Sequence, residues 1–357
     1  VNFINPQAKT LAHMDRLVDW NRGHKPAPVT VEWDLSNRCV LGCQDCHFAH
    51  THTRGPWMVK DRKLPMAYDS GGDLADPSVV TRALREMSSA GVQSIVWSGG
   101  GEPTTHPQWL DMVRYADSMA LQQGMYTLGG LLDEPSALVL GSLATWVVVS
   151  LDCPDAETYA AEKGVLAERF RKACDGIRYL VAAKHAAVGV SFLLHKDNWK
   201  RTREMLTLAR SLGATYATFR PAIHTSPDRP SKTTDYRGWI TAALPMLASV
   251  SHDTDVELDV ERFIKYRDWS GHGYDACRGI RLSTTVTPDG RVWVCQQRRG
   301  VRGSEIGDLS KESFSQVWAK HPGQWTDFAD CRVMCRMHLS NEILAQLAQP
   351  VAHAAFV

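Results

Sequence analysis

The sequence predicts an α/β fold: a partial, TIM-like (β/α)6 barrel followed by a small C-terminal domain of β-hairpin and helix. Three observations predict it. Between residues 28 and 220, apolar strand-sized stretches alternate six times with segments of helical period. Those stretches are nearly continuous in apolar residues, the pattern of parallel strands covered on a face by helices. After about residue 255 the alternation gives way to a hairpin pattern around a Pro-Asp-Gly turn. An open Rossmann-type sheet is the structural rival for the first part.

The elements follow in order. "VNFINPQAKTLAHMDRL" at the N-terminus predicts an amphipathic helix with Leu11, Met14, Leu17 and Val18 on one face. "PVTVEWDL" is the first strand. "DPSVVTRALREMSSAG" is a helix with Asp76 as N-cap, proline next to it and Gly91 closing it. "VQSIVWSGG" is the second strand, and "HPQWLDMVRYADSMALQQG" a helix that ends at Gly124. Then come "MYTLGG", a short helix from Pro135, "TWVVVSLD", a helix over residues 168–184, "AVGVSFLLH", a helix over 199–212 and "ATYATFRP". "HTSPDRPSKTTDYRG" breaks the alternation and predicts a linker, with a helix over 239–250 beyond it. "STTVTPDGRVWVC" is the hairpin and "ESFSQVWAKH" a further helix. The expected organisation is an N-terminal helical extension (1–27), the (β/α)6 core (28–223), a linker and connecting helix (224–254), a cysteine-rich domain (255–345) and a tail (346–357).

The chain has 357 residues, formal charge +1 and 22% charged residues, so no global field directs it to nucleic acid or an anionic membrane. No apolar run is long enough to span a bilayer, and the N-terminus lacks a secretory pattern. The expectation is a cytoplasmic, globular protein with no membrane partner. Its nine cysteines are then candidates for metal binding or chemistry rather than disulfides. They fall into Cys39, Cys43 and Cys46; Cys153 and Cys174 singly; and Cys277, Cys295, Cys331 and Cys335.

"SNRCVLGCQDC" spaces its cysteines C-x3-C-x2-C directly after the first strand, and strand C-terminal ends are where barrel-like folds build active sites. Three thiolates suit three corners of a [4Fe–4S] cube and leave the fourth iron open. A zinc site completed by His47 or His50 is the alternative. "WSGGGEPTTHP" follows the second strand: Gly99, Gly100 and Gly101 permit close backbone approach, and Glu102, before Pro103, can pair with an ammonium.

The cysteine motif joined to GGEP resembles the radical S-adenosylmethionine (SAM) superfamily. That resemblance implies that SAM chelates the open iron through its amino and carboxylate groups. It implies that an electron from an external reductant such as flavodoxin or ferredoxin cleaves SAM to a 5′-deoxyadenosyl radical, which takes a substrate hydrogen. It places the SAM amino group against the GGEP stretch, and a polar residue touching the ribose at "SLD" (Ser150, Asp152). His195, Asn198 and Arg220, at later strand ends, are further contacts to SAM or substrate, or caps of the following turns. The aromatic residue usual before the third cysteine is absent, Asp45 standing there; Phe48 is the ring left to pack near the adenine.

Cys277 and Cys295, with Gly290 in the turn between them, resemble the opening of the SPASM and shorter twitch extensions, which bind auxiliary [4Fe–4S] clusters. With Cys331 and Cys335 they make four ligands, enough to close a single auxiliary cluster; a structural zinc is the alternative. The resemblances cover most of the chain from Val29 to about Leu344 and imply two clusters plus SAM. Cys153, at a strand end, is a candidate hydrogen-atom donor or a small buried hydrophobe, and Cys174 a core residue.

"HFAHTHTRGPWMVKDRKLP" gathers His47, His50, His52, Arg54, Lys60, Arg62 and Lys63 where a lid is expected, and Arg298, Arg299 and Arg302 form a second basic patch. They suit an anionic substrate such as a phosphate, a nucleotide or a carboxylate; a solvated loop with incidental charge is the alternative. The expected reaction is oxidation, epimerisation or rearrangement of a small polar, sugar-like or anionic molecule. A peptide is the second substrate class, a nucleotide or DNA base the third, and a non-enzymatic zinc scaffold the distant alternative.

Overall fold

The computed structural model describes residues 6–43, 46, 48, 72–222, 236–253, 255–328, 331 and 334–349. Ten strands form one sheet: β1 (Thr30–Asp34), β2 (Ser94–Ser98), β3 (Gln122–Thr127), β4 (Trp146–Ser150), β5 (Ala187–Leu194), β6 (Tyr216–Pro221), β7 (Val256–Glu257), β8 (Ser283–Val286), β9 (Arg291–Trp293) and β10 (Glu305–Asp308). Their order is β10-β9-β8-β1-β2-β3-β4-β5-β6-β7. From β8 to β7 every neighbouring pair is parallel. The sheet is open, with β10 and β7 at its edges, so the α/β partial barrel stands.

Helices α1 (Pro6–Leu11) and α2 (Met14–Asn21) precede β1. Between strands run α3 (Pro77–Ser89), α4 (Trp109–Ser118), α5 (Glu134–Leu143), α6 (Ala156–Lys163), α7 (Glu168–Ala182) and α8 (Thr202–Ser211). The C-terminal part adds α9 (Tyr236–Val250), α10 (Val260–Arg267), α11 (Phe314–Ala319) and α12 (His338–Leu347). The caps follow the sequence signals: Asp76 accepts from Ser78 N at 2.8 Å, and Ser313 with Gln316 makes a capping box on α11.

The period-2 pattern decides which residues face what. Val31, Trp33, Ile95, Trp97, Met125, Val147, Val149, Val190 and Phe192 point to the helices and form the core. The alternate set, including Glu32, Val96, Gly124, Tyr126 and Val148, lines the concave face. Cys174 is buried on α7, as its helical position suggests.

Several elements differ from expectation. Gly124 lies inside β3 rather than ending a helix, because Gln122–Thr127 pairs with β2 and β4. A Cβ there would fall 2.1 Å from the Trp146 ring, so glycine makes room for the indole. The N-terminal helix is two helices with separate faces. Leu17 and Trp20 are buried while Leu11 and Val18 are exposed. The helix α6 has no counterpart in the sequence reading. The hairpin is present, with Gly290 at φ +85°, but β8 pairs with β1, so one sheet runs from the barrel into the cysteine-rich part. Most of the linker candidate lies outside the described residues.

Candidate active site

The chain leaves β1 through Leu35 and Ser36 and reaches Cys39, which is buried. Cys46 N donates to Cys43 O at 3.3 Å, closing a tight turn. Cys39 faces Cys43, Cys46 and Glu102, and burial pushes its thiol well above the ordinary range. Bound to iron the same sulfur loses its proton. Three gathered thiols beside the glycine loop fit a cluster held by three protein ligands. His47, His50 and the rest of the expected basic lid, Phe48 apart, lie outside the described residues.

The glycine loop is pressed against the cysteine loop. Gly101 N donates to Ser36 O at 3.0 Å and Glu102 N to Arg38 O at 2.7 Å. A Cβ on Gly101 would stand 2.1 Å from Arg38 O, and one on Gly99 2.5 Å from Gly101 O. The glycines thus permit backbone-to-backbone packing just before Cys39. Glu102 is buried, and burial raises its pKa. Its Oε1 accepts from Thr127 Oγ1 at 2.6 Å and its Oε2 from Leu128 N at 2.7 Å. Pro103 opens a single 3-10 turn, Pro103–Thr105.

The later strand ends separate. Ser150 closes β4, in register with Ser191 of β5. Asp152, in the left-handed region at φ +63°, accepts from Leu193 N at 2.9 Å and pairs with the buried Lys163. His195 is buried, its Nε2 3.5 Å from Glu162 Oε1. Asn198 accepts from His195 N at 2.8 Å and donates to Leu193 O at 2.9 Å, closing the turn before α8. Arg220 lies 5.7 Å from the centre of the Tyr126 ring, inside the barrel. Cys153 is buried beside Lys163 and Asp152, with its thiol pushed up to about 12 by burial. It is not among the residues lining the barrel cavity.

Cys277, Cys295, Cys331 and Cys335 converge on one small cavity, with Tyr274 and Phe328 also in its wall. A backbone bridge to Trp325 fixes Cys277, through N–H···O bonds of 2.7 and 3.0 Å. Asn341 donates to Cys277 Sγ at 3.1 Å while its Oδ1 accepts from Arg278 N and Gly279 N, both at 2.7 Å. His272 meets Cys331 O at 2.7 Å. Four thiols around one cavity, with a hydrogen bond to sulfur, fit a fully protein-ligated cluster.

Two links between these centres were not legible in the sequence. Glu32 and Asp34, both on the concave side of β1, are each paired with an arginine of the cysteine-rich part: Glu32 with Arg336, next to Cys335, and Asp34 with Arg299, four residues after Cys295. The Arg299 guanidinium also lies 3.7 Å from the centre of the Phe48 ring. The expected second basic patch is therefore corrected. Arg298 and Arg299 are buried, Arg298 against Asp327 and the Trp325 ring, and Arg302 alone is exposed. The signal available was two acids at alternate positions of an otherwise apolar strand. The concave face also holds an open cavity of about 680 Å³ towards the N-terminal ends of the strands, lined by Thr30, Glu32, Ser94, Tyr126, Arg220 and Arg336; Cys39, Cys43, Cys46 and the glycine loop do not line it.

Comparison with known proteins shows the family of the chain. Residues 33–209 match the family model of the radical SAM superfamily, and residues 277–338 that of the SPASM iron-sulfur cluster-binding domain. The chain belongs to the radical SAM superfamily. This radical SAM protein is 26% identical over 310 residues to the PqqA peptide cyclase of Gluconobacter oxydans, covering 83% of this chain and 77% of that one. It is 23% identical over 316 residues to the tungsten-containing aldehyde ferredoxin oxidoreductase cofactor-modifying protein of Pyrococcus furiosus, covering 83% and 82%. Its fold matches Streptococcus suis SuiB bound to precursor peptide SuiA with a TM-score of 0.63 at 14% identity, over 90% of this chain and 71% of that one. Among the described residues no helix is long and apolar enough to cross a membrane.

Proposed function

We propose that this radical SAM enzyme modifies a peptide. It would use one open [4Fe–4S] cluster on Cys39, Cys43 and Cys46 and one closed auxiliary cluster on Cys277, Cys295, Cys331 and Cys335. The observation that carries the substrate class is the relationship to a peptide cyclase across 83% of the chain. The small sugar-like molecule expected from the sequence gives way to the peptide on that ground.

Bound at the cluster of Cys39, Cys43 and Cys46, SAM would supply one-electron C–H activation, with an external reductant such as a flavodoxin or ferredoxin providing the electron. The chain's own residues then divide the work. The GGEP loop (Gly99, Gly100, Gly101, Glu102, Pro103) offers backbone carbonyls to the SAM amino group, since the Glu102 carboxylate is already held by Thr127 and Leu128. Ser150 faces the ribose and Phe48 the adenine. Arg220 and Tyr126 orient the peptide inside the barrel.

The test is anaerobic reconstitution followed by incubation with SAM, reductant and a panel of short peptides, including any short reading frame found next to the gene. Sugars and cyclitols run in parallel. Peptide-stimulated 5′-deoxyadenosine release with a mass change in the peptide is the expected result. Release stimulated by the sugars or cyclitols alone would overturn the peptide reading.

A further inference from the structure

Lys163 is the last residue of α6 and is only 6% exposed. Lysine is almost never this buried without a partner. Its ammonium pairs with Asp152 and carries its charge to the surroundings of the Cys43 thiol, and its backbone carbonyl accepts from Gly42 N, the residue before Cys43, at 2.7 Å. Asp152 is fixed in turn: its left-handed backbone donates from N to Ser191 O at 3.2 Å, and its other carboxylate oxygen accepts from Leu193 N at 2.9 Å. Tyr159 and Cys153 complete the surroundings of the ammonium, with Glu162 and Asp155 further out. The turn that presents Asp152 and the helix that presents Lys163 therefore meet underneath the second cysteine of the open cluster.

We propose that Lys163 sets the reduction potential of the SAM-binding cluster through Cys43, and that Asp152 limits how strongly it does so. Reduction adds one negative charge to the cluster and its thiolates. A buried cation beside a ligand sulfur stabilises that added charge and raises the potential. The carboxylate of Asp152, of opposite charge, opposes the effect. Pinning the loop alone would predict no ordered effect on potential, whereas the charge arrangement predicts opposite signs for its two members. The inference rests on Cys39, Cys43 and Cys46 holding that cluster.

The experiment is a potentiometric titration of the reconstituted full chain, followed by electron paramagnetic resonance, with the open cluster identified as the signal that SAM alters. The expected result is a lower midpoint in Lys163→Met, a near-native one in Lys163→Arg and a higher one in Asp152→Asn, which leaves the ammonium unopposed. Unchanged midpoints, or Lys163→Met and Asp152→Asn shifting in the same direction, overturn the proposal. Should Lys163→Met fail to retain iron, Asp152→Asn decides alone: an upward shift supports the proposal, and no shift or a downward one overturns it. A native protein with no SAM-altered signal would instead overturn the cluster reading beneath it.

Discussion

Asp34, at the end of β1, and Arg299, four residues after the auxiliary cysteine Cys295, form an ion pair in which both side chains are wholly shielded from solvent. The pair joins the strand that leads to Cys39 to the loop that follows Cys295. Burial raises the Asp34 carboxyl to about 6 despite the arginine, so the contact is electrostatically costly by itself. Removing one partner costs more than removing both, because the survivor is a buried charge. Arg299→Met is expected to lower stability by about 3 kcal/mol, and the double variant Asp34→Asn/Arg299→Met to recover most of that. Urea midpoints of the native protein, both single variants and the double variant measure it; an additive double variant would contradict the coupling.

The glycine loop makes a sharper prediction. Gly101→Ala places a methyl 2.1 Å from Arg38 O, a backbone atom that cannot swing aside. The loop must move away from Cys39, and the variant is expected to lose roughly four irons of about eight per chain, those of the open cluster. Iron analysis after anaerobic gel filtration reads this directly, and full iron retention would contradict it.

At the auxiliary centre, Asn341 holds Cys277 with its amide and two backbone N–H groups with its carbonyl. Asn341→Leu keeps the volume but strands those donors, a cost of about 2 kcal/mol. The expected outcome is lower stability and loss of the spectrum that SAM does not alter, with the SAM-sensitive signal retained. Loss of both signals together would show that the two centres do not fold separately at this point.

Stability should also depend on pH through His321. Its ring is buried, 4.3 Å from the Trp318 ring centre, and its Nδ1 accepts from Gly323 N at 3.0 Å. Burial, with Lys25 and Arg281, lowers its pKa from 6.5 to about 3. The unfolded chain then binds a proton below 6.5 that the folded chain refuses. This contribution is whole above about 6.5 and falls as the pH drops, by about 2 kcal/mol at pH 5. Denaturation of His321→Phe at pH 7.5 and 5 should lack that part of the slope; an identical slope in both proteins would contradict the assignment.

The strands and most helices were legible because their signals are local. Asp76 before a proline, Gly290 in a Pro-Asp-Gly turn and the alternation of "VEWD" each act over a few residues. The two cysteine sets were legible because thiols at those spacings have few other uses. What stayed hidden depends on contacts distant in sequence. Gly124 looks like a helix stop until Trp146 is packed over it. Arg298 and Arg299 look like a surface patch until Asp327 and Asp34 meet them. Lys163 looks like any helix-end lysine until Asp152 and Cys43 close around it. The helix α6 carries no clear apolar stripe, and its definition comes from the Asp155 cap and the αL Gly164.

The measurement that tests the central claim most directly is the iron content and reduced spectrum of the anaerobically reconstituted chain, with and without SAM, beside a Cys39→Ala/Cys43→Ala/Cys46→Ala variant. The account predicts roughly eight irons falling to about four in the variant, with the SAM-sensitive signal lost and the auxiliary signal kept. No SAM-sensitive signal in the native protein, or a triple variant that keeps it, would contradict the assignment of an open cluster to these three cysteines.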